Sequence, residues 1–199
     1  MTKFYLVRHG EKEKVAGDPG LTEVGKKQAM ATGKYFKDKD IKTVYSSHLR
    51  RTTETAKHIA SMQKLEVVVD PELRERANWG DLPGQTFEEF LEMWQLCDKN
   101  RDYVPPIGDS SRKAGERIEQ YFRELHKKYS NEEIILVVHG GLIADFLFNI
   151  FPTDLLSKHN ETFVDRASAM GITECSITVI NFDGNKFKLE KLAYTSHLL

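Results

Sequence analysis

Arg8, His9 and Gly10 follow one another where the apolar run Phe4-Tyr5-Leu6-Val7 stops. A guanidinium, an imidazole and a residue without a side chain suit one kind of ligand. Arginine presents a planar fork that matches phosphate oxygens. Histidine is nucleophilic as the neutral ring, with a reference pKa of about 6.5, and adjacent guanidinium charge favours that form. Glycine lets backbone N–H groups approach an oxyanion closely. Related groups recur at three other points. Ser46 and Ser47 precede Arg50 and Arg51, the stretch ELRERANWG carries Glu72 and Glu75 with Glu88 beyond it, and His139, Gly140 and Gly141 close the run EIILVV.

These groups make one site only if the chain delivers them to one edge. Residues 3–7 read as a central strand, short and apolar and followed by Gly10. Thr22 is the expected N-cap of a helix reaching about Phe36, with Glu23 in its first turn and Val24, Met30, Gly33 and Phe36 on its inner face. Residues 42–45 read as a second strand, about 49–61 as a helix, and 66–69 as a third strand ended by Pro71. This alternation predicts right-handed crossovers and a parallel sheet. Thr86 with Glu89 has the form of a capping box. Ser110 or Ser111 opens a long amphipathic helix with Ile118, Tyr121, Phe122 and Leu125 at helical spacing, so residues 85–129 read as mainly helical, a lid or side wall. EIILVV, residues 133–138, is the strongest strand signal, and a helix from Leu142 to about Phe151 follows it. Residues 176–181 and 186–194 read as two strands joined at Asp183-Gly184-Asn185. The expected fold is α/β: a three-layer α/β/α sandwich with a mostly parallel central sheet, a helical lid insertion at about 79–130, and a C-terminal antiparallel hairpin, all in one domain over 1–199. Ligands bind such sheets beyond the carboxyl ends of the strands, where the four groups fall.

Composition narrows the partners. With 199 residues, 40% apolar, 30% charged and a formal net charge of -1, the chain has no basic excess for nucleic acid and no polybasic patch for a membrane surface. Cys97 and Cys175 stand far apart without CxxC spacing, and His48, His58, His126, His159 and His197 show no metal-ligand spacing. Neither a metal nor another cofactor is expected. The start MTKFYLV runs directly into the first strand, with no leader pattern and no membrane-spanning run, so a reducing cytoplasm is the expected setting.

Five segments in order resemble the histidine phosphatase superfamily, the phosphoglycerate-mutase-like proteins: LVRHGE at 6–11, PGLTEVGKKQA at 19–29, VYSSHLRRTTETA at 44–56, LRERANWG at 73–80 and VVHGG at 137–141. The resemblance spans nearly the whole chain. It implies that His9 is the phosphorylated histidine, Arg8 the arginine before it, Glu75 the proton donor and His139 the second histidine, with Gly140 beside it in the phosphate-binding set. It places the second phosphate-binding arginine on Arg51, which follows SSxLx, and Arg50 on a variable position. His48 stands where proline is usual and Thr52 where alanine is usual. Phosphoglycerate mutases in this family carry a tryptophan-asparagine pair soon after RHG, where this chain has EKEKVAGDPG. The implied activity is a metal-independent phosphatase acting on a small phosphorylated metabolite through phosphohistidine. The alternatives are a phosphoglycerate-type mutase and a non-catalytic phospho-ligand binding or regulatory module. Lys12 and Lys14 either meet a second anionic group or are solvated, and Trp79, Phe87 and Trp94 either wall the pocket or pack the lid.

Overall fold

Along β1 (Thr2–Arg8), Phe4 and Leu6 enter one hydrophobic cluster while Tyr5 and Val7 enter another. The same alternation runs through β4 (Glu133–Val138), where Ile134, Leu136 and Val138 face the first cluster and Ile135 and Val137 the second. A strand covered on both faces reads as an unbroken apolar run, which is why EIILVV stands out. The computed structural model describes residues 1–161, 163 and 171–199.

The remaining strands are β2 (Ile41–Ser46), β3 (Val67–Val69), β5 (Ile177–Phe182) and β6 (Phe187–Tyr194), and the sheet order is β3-β2-β4-β1-β5-β6. Pairings from β3 to β1 are parallel, whereas β5 is antiparallel to both β1 and β6. In the β5–β6 turn, Asp183 Oδ1 accepts from the N–H groups of Asn185 and Lys186, and Gly184 takes φ +99°.

Helices cover both faces. One layer holds α1 (Glu23–Phe36) and α2 (Arg50–Gln63), which supplies Ala56, Ile59 and Ala60 to the second cluster. The other holds α4 (Ser111–Lys128) and α5 (Gly140–Ile150), which bring Ala114, Ile118, Phe122, Leu142 and Phe146 to the first. The expected caps form: Thr22 accepts from Gly25 N–H, Ser110 from Lys113 N–H, and Thr86 with Glu89 closes a capping box on α3 (Phe87–Lys99). A short α6 (Thr153–His159) packs Leu156 into the first cluster.

Two expectations change. The inner face of α1 is Gly25, Ala29, Thr32, Gly33 and Phe36, whereas Val24 and Met30 are 52% and 40% exposed. The cause is close approach: a Cβ on Gly25 would lie 2.1 Å from the Glu11 carbonyl oxygen, so small residues and not large ones line that contact. The expected insertion at 79–130 also divides. Its second helix, α4, is a core layer, and only the segment ending with α3 stands over the carboxyl edge of the sheet.

Candidate active site

A cavity of about 740 Å³ opens at that edge, and its floor is lined by Arg8, His9, Arg51, Glu75, Gly140 and Gly141. Each comes from the end of a strand or the start of a helix. Arg8 ends β1 and His9 follows it, Arg51 is in the first turn of α2, and Gly140 and Gly141 open α5 directly after His139. Glu75 follows the single 3-10 turn Pro71–Leu73 that leaves β3.

Hydrogen bonds assign the tautomers. His9 Nδ1 bonds the Gly10 carbonyl at 2.8 Å, so it carries the proton, and Nε2 accepts from Arg51 Nε at 3.2 Å. The Nε2 lone pair is therefore the nucleophilic one, free for attack once Arg51 Nε turns its proton to an anion in the cup. Arg51 Nη2 lies 3.3 Å from His139 Nδ1, and a guanidinium only donates. His139 Nδ1 must then be the acceptor, and its Nε2–H donates to Ser47 Oγ at 2.9 Å. The two rings are 5.4 Å apart, edge to face, with Arg51 bonded to both. Burial, and after it the charge of Arg51, pushes both imidazoles well below their ordinary pKa. Both rings are neutral near pH 7.

Arg51 itself is 4% exposed and has no carboxylate within ion-pair distance among the described residues. Its Nη1 is buried without a hydrogen-bond partner among the described residues. A buried guanidinium with an unused N–H is costly unless a ligand completes it. Burial followed by the charges of Arg51 and Arg8 lowers the pKa of Lys12, a third cation on the cavity wall. The arrangement is a cationic cup made for an anion. Arg8 is steadied by Glu174 at 2.7 Å and by the Ile172 carbonyl.

Across the cup, Glu75 is oriented by backbone donors. Oε1 accepts from Arg76 N–H and Oε2 from Gly141 N–H, each at 2.9 Å. A Cβ on Gly141 would lie 2.7 Å from both Glu75 Oε1 and the Trp94 ring, so only glycine leaves room for this carboxylate. Behind it, the fully buried Arg76 donates to Asp145 at 3.0 Å, Asp98 at 2.5 Å and Ser111 at 2.7 Å, and its guanidinium stacks 3.8 Å from the centre of the Trp94 ring.

The sequence-predicted residues thus converge, with distinctions among them. His139 does not line the cavity; it is wholly buried and meets it through Arg51. Arg50 points away, its side chain on Glu54 at 3.2 Å and its N–H on Asp18 at 2.7 Å. Glu72 and Glu88 are exposed and off the cavity, while Lys12, Lys14, Trp79, Phe87 and Trp94 line it. Sequence reasoning missed Arg76, Asp145 and Glu174. Asp145 carried a signal, as the lone charge in GGLIADFLFNI.

The family model described as "Histidine phosphatase superfamily (branch 1)" matches residues 4–195. Phosphoglycerate mutase-like protein 4 of Arabidopsis thaliana is 32% identical, over 98% of this chain and 86% of that protein. A metal-independent phosphoserine phosphatase of the same plant is 28% identical, over 100% of this chain and 84% of its own length. Among solved structures, phosphoserine phosphatase of Entamoeba histolytica in complex with 3-phosphoglyceric acid superposes with a TM-score of 0.77 at 28% identity, covering 100% of both chains.

Proposed function

The chain belongs to the histidine phosphatase superfamily, and from that premise we propose that it hydrolyses a small phosphomonoester through a phosphohistidine on His9. The observation that carries this reading is the His9 ring with Nδ1 fixed on the Gly10 carbonyl and Nε2 held on a buried Arg51 that makes no direct ion pair among the described residues. His9 Nε2 attacks phosphorus and the ester P–O bond breaks. Glu75 gives its proton to the departing alcohol oxygen, then takes one from the water that attacks phosphohistidine, and the P–N bond breaks to release phosphate. Arg8 and Arg51 neutralise charge on the transferring oxygens, joined by the N-terminus of α5 at Gly140. His139 acts by holding Arg51, and it meets a phosphate oxygen only if its Nδ1 gains a proton when the dianion binds.

Hydrolysis is preferred over mutase transfer. A mutase must hold a bisphosphate; α3, which closes the outer half of this cavity, contributes no cation, so a second phosphate would rest on Lys12 and Lys14 alone, and the segment EKEKVAGDPG stands where the family's mutases carry a tryptophan-asparagine pair. No described helix is long and apolar enough to cross a membrane; a cytoplasmic location is part of the proposal and is tested by cell fractionation.

The deciding experiment is rapid-quench labelling with a 32P-phosphomonoester. Acid-labile, base-stable label should map to His9 and vanish in His9→Ala. Label on another residue, or turnover retained in His9→Ala, sinks the mechanism.

A further inference from the structure

The cup takes a phosphoryl group, yet the cavity is of the size that encloses a drug-sized molecule. Its outer wall is Trp79, Phe87, Phe90, Leu91 and Trp94. The last four lie on α3 at spacing i, i+3, i+4 and i+7, which is one helical face. Met93 and Cys97, on another side of the same helix, are buried in the protein. α3 therefore has two apolar faces, and the protein covers only one of them. Phe87 and Leu91 remain 45% and 42% exposed toward the cavity that holds the nucleophile.

This wall is preorganised. Trp79 packs on Phe87 with centroids 4.9 Å apart, and Phe90 on Trp94 at 5.6 Å. The Arg76 guanidinium, itself fixed by Asp98 and Asp145, stacks on the Trp94 ring. A rigid apolar face next to a phosphate site gains most from an apolar group covalently attached to the phosphate. α3 itself offers a carboxylate only Gln95 and Asp98; the cavity's further cations, Lys12 and Lys14, come from the loop after β1, with Lys12 close enough to the cup to feel Arg51 and Arg8.

Resting on the phosphatase reading, we propose that the alcohol portion of the substrate is a bulky apolar group bearing an aromatic ring. It lies against the Phe87–Leu91–Trp94 face of α3, and small carboxylated esters are the poorer substrates.

The test uses esters with matched leaving groups. Turnover of 3-phenylpropyl phosphate is compared with that of propyl phosphate, phosphoserine and 3-phosphoglycerate. Binding of the non-hydrolysable 3-phenylpropylphosphonate and propylphosphonate is measured by calorimetry. The phenyl compound should lead its propyl partner by about tenfold or more in affinity and in kcat/KM. In Phe87→Ser/Leu91→Ser, whose replaced side chains are already partly exposed, that ratio should fall toward one. Equal affinities of the two phosphonates overturn the inference, as does a ratio unmoved by the double variant or tighter binding of 3-phosphoglycerate or phosphoserine. A phenyl preference in binding with no turnover of any ester supports the wall and overturns the phosphatase reading instead.

Discussion

Replacing Arg51 with methionine separates function from stability. The side chain is buried, bonds His9 Nε2 at 3.2 Å and His139 Nδ1 at 3.3 Å, keeps Nη1 unused, and has no ion-pair partner among the described residues. Losing one preorganised oxyanion donor lowers kcat by roughly 10²–10³-fold, about 3–4 kcal/mol. Arg51 presents several N–H groups to one cup, so Arg51→Met should fall at or beyond the upper end of that range. Stability should go the other way. Exchanging a buried guanidinium, on which Glu75, Asp18 and Asp81 act without direct ion pairing, for an apolar side chain of similar length removes a desolvation penalty and relieves the cationic field on Lys12, His9 and His139, offset in part by the two buried ring nitrogens left without a donor. The Tm should stay within about 3 °C of the parent or rise, since 1 kcal/mol moves Tm by about 2–4 °C in a chain of this size. Arg50→Met is the control: its i,i+4 pair with Glu54 is exposed, so kcat should change by less than about twofold. The assay is steady-state kinetics with calorimetric Tm on the three proteins. A kcat within about threefold of the parent for Arg51→Met, or a large Tm loss that accounts for the inactivity, refutes the reasoning.

Glu75→Gln should impair alkyl phosphates by about 10²–10⁴-fold but spare cleavage of nitrophenyl phosphate, whose phenolate needs little protonation, with phosphohistidine then accumulating; Glu72→Gln should do neither. Uniform loss across leaving groups removes Glu75 from the role. Nitrogen-15 spectra should show His9 as the Nδ1–H tautomer and His139 as the Nε2–H tautomer, both still neutral at about pH 6. Because both folded pKa values lie below the unfolded value of about 6.5, their contribution to stability is present above that pH and is lost as pH falls; a charged ring at about pH 6 contradicts the assignment. Burial pushes the Asp145 carboxyl above its ordinary range against the pull of Arg76, so the unfolded chain sheds this proton at lower pH than the native state does. The Tm of the parent relative to Asp145→Asn should therefore decline as pH rises from about 4.5 to 7.5, and a constant difference refutes the shift.

Strands and caps were legible wherever one local rule decided them: EIILVV by its unbroken apolar run, Thr22 by its place before Glu23, and the start of α4 to within the pair Ser110–Ser111, of which Ser110 is the cap. The choice of Arg51 over Arg50 came from the resemblance to the SSxLx segment, and helical geometry adds only that the two neighbours face about 100° apart. On the inner face of α1, Gly33 and Phe36 were read correctly, whereas Val24 and Met30 were misread because hydrophobicity was taken as burial. At Gly25 and Gly33 the backbones approach so closely that size, and not apolarity, selects the residue. The Arg76–Asp145 and Arg8–Glu174 pairs were illegible because their partners are far apart in sequence and meet only through the sheet. Neither partner carries a local pattern that names the other.

The position of β4 between β2 and β1 also has a consequence for the order in which the protein is made. β1 and β2 leave the ribosome early, but they are not hydrogen-bonded to each other; each pairs with β4, whose first residue is Glu133. Until that segment emerges, both strands present unsatisfied N–H and C=O groups along an edge, the condition that invites pairing with other chains. The same arrival brings His139 to Ser47 and Arg51. A nascent chain that ends before β4 therefore leaves open the facing edges of β1 and β2 and lacks the His139 that Arg51 bonds, while the far edge of β1 waits longer still, for β5.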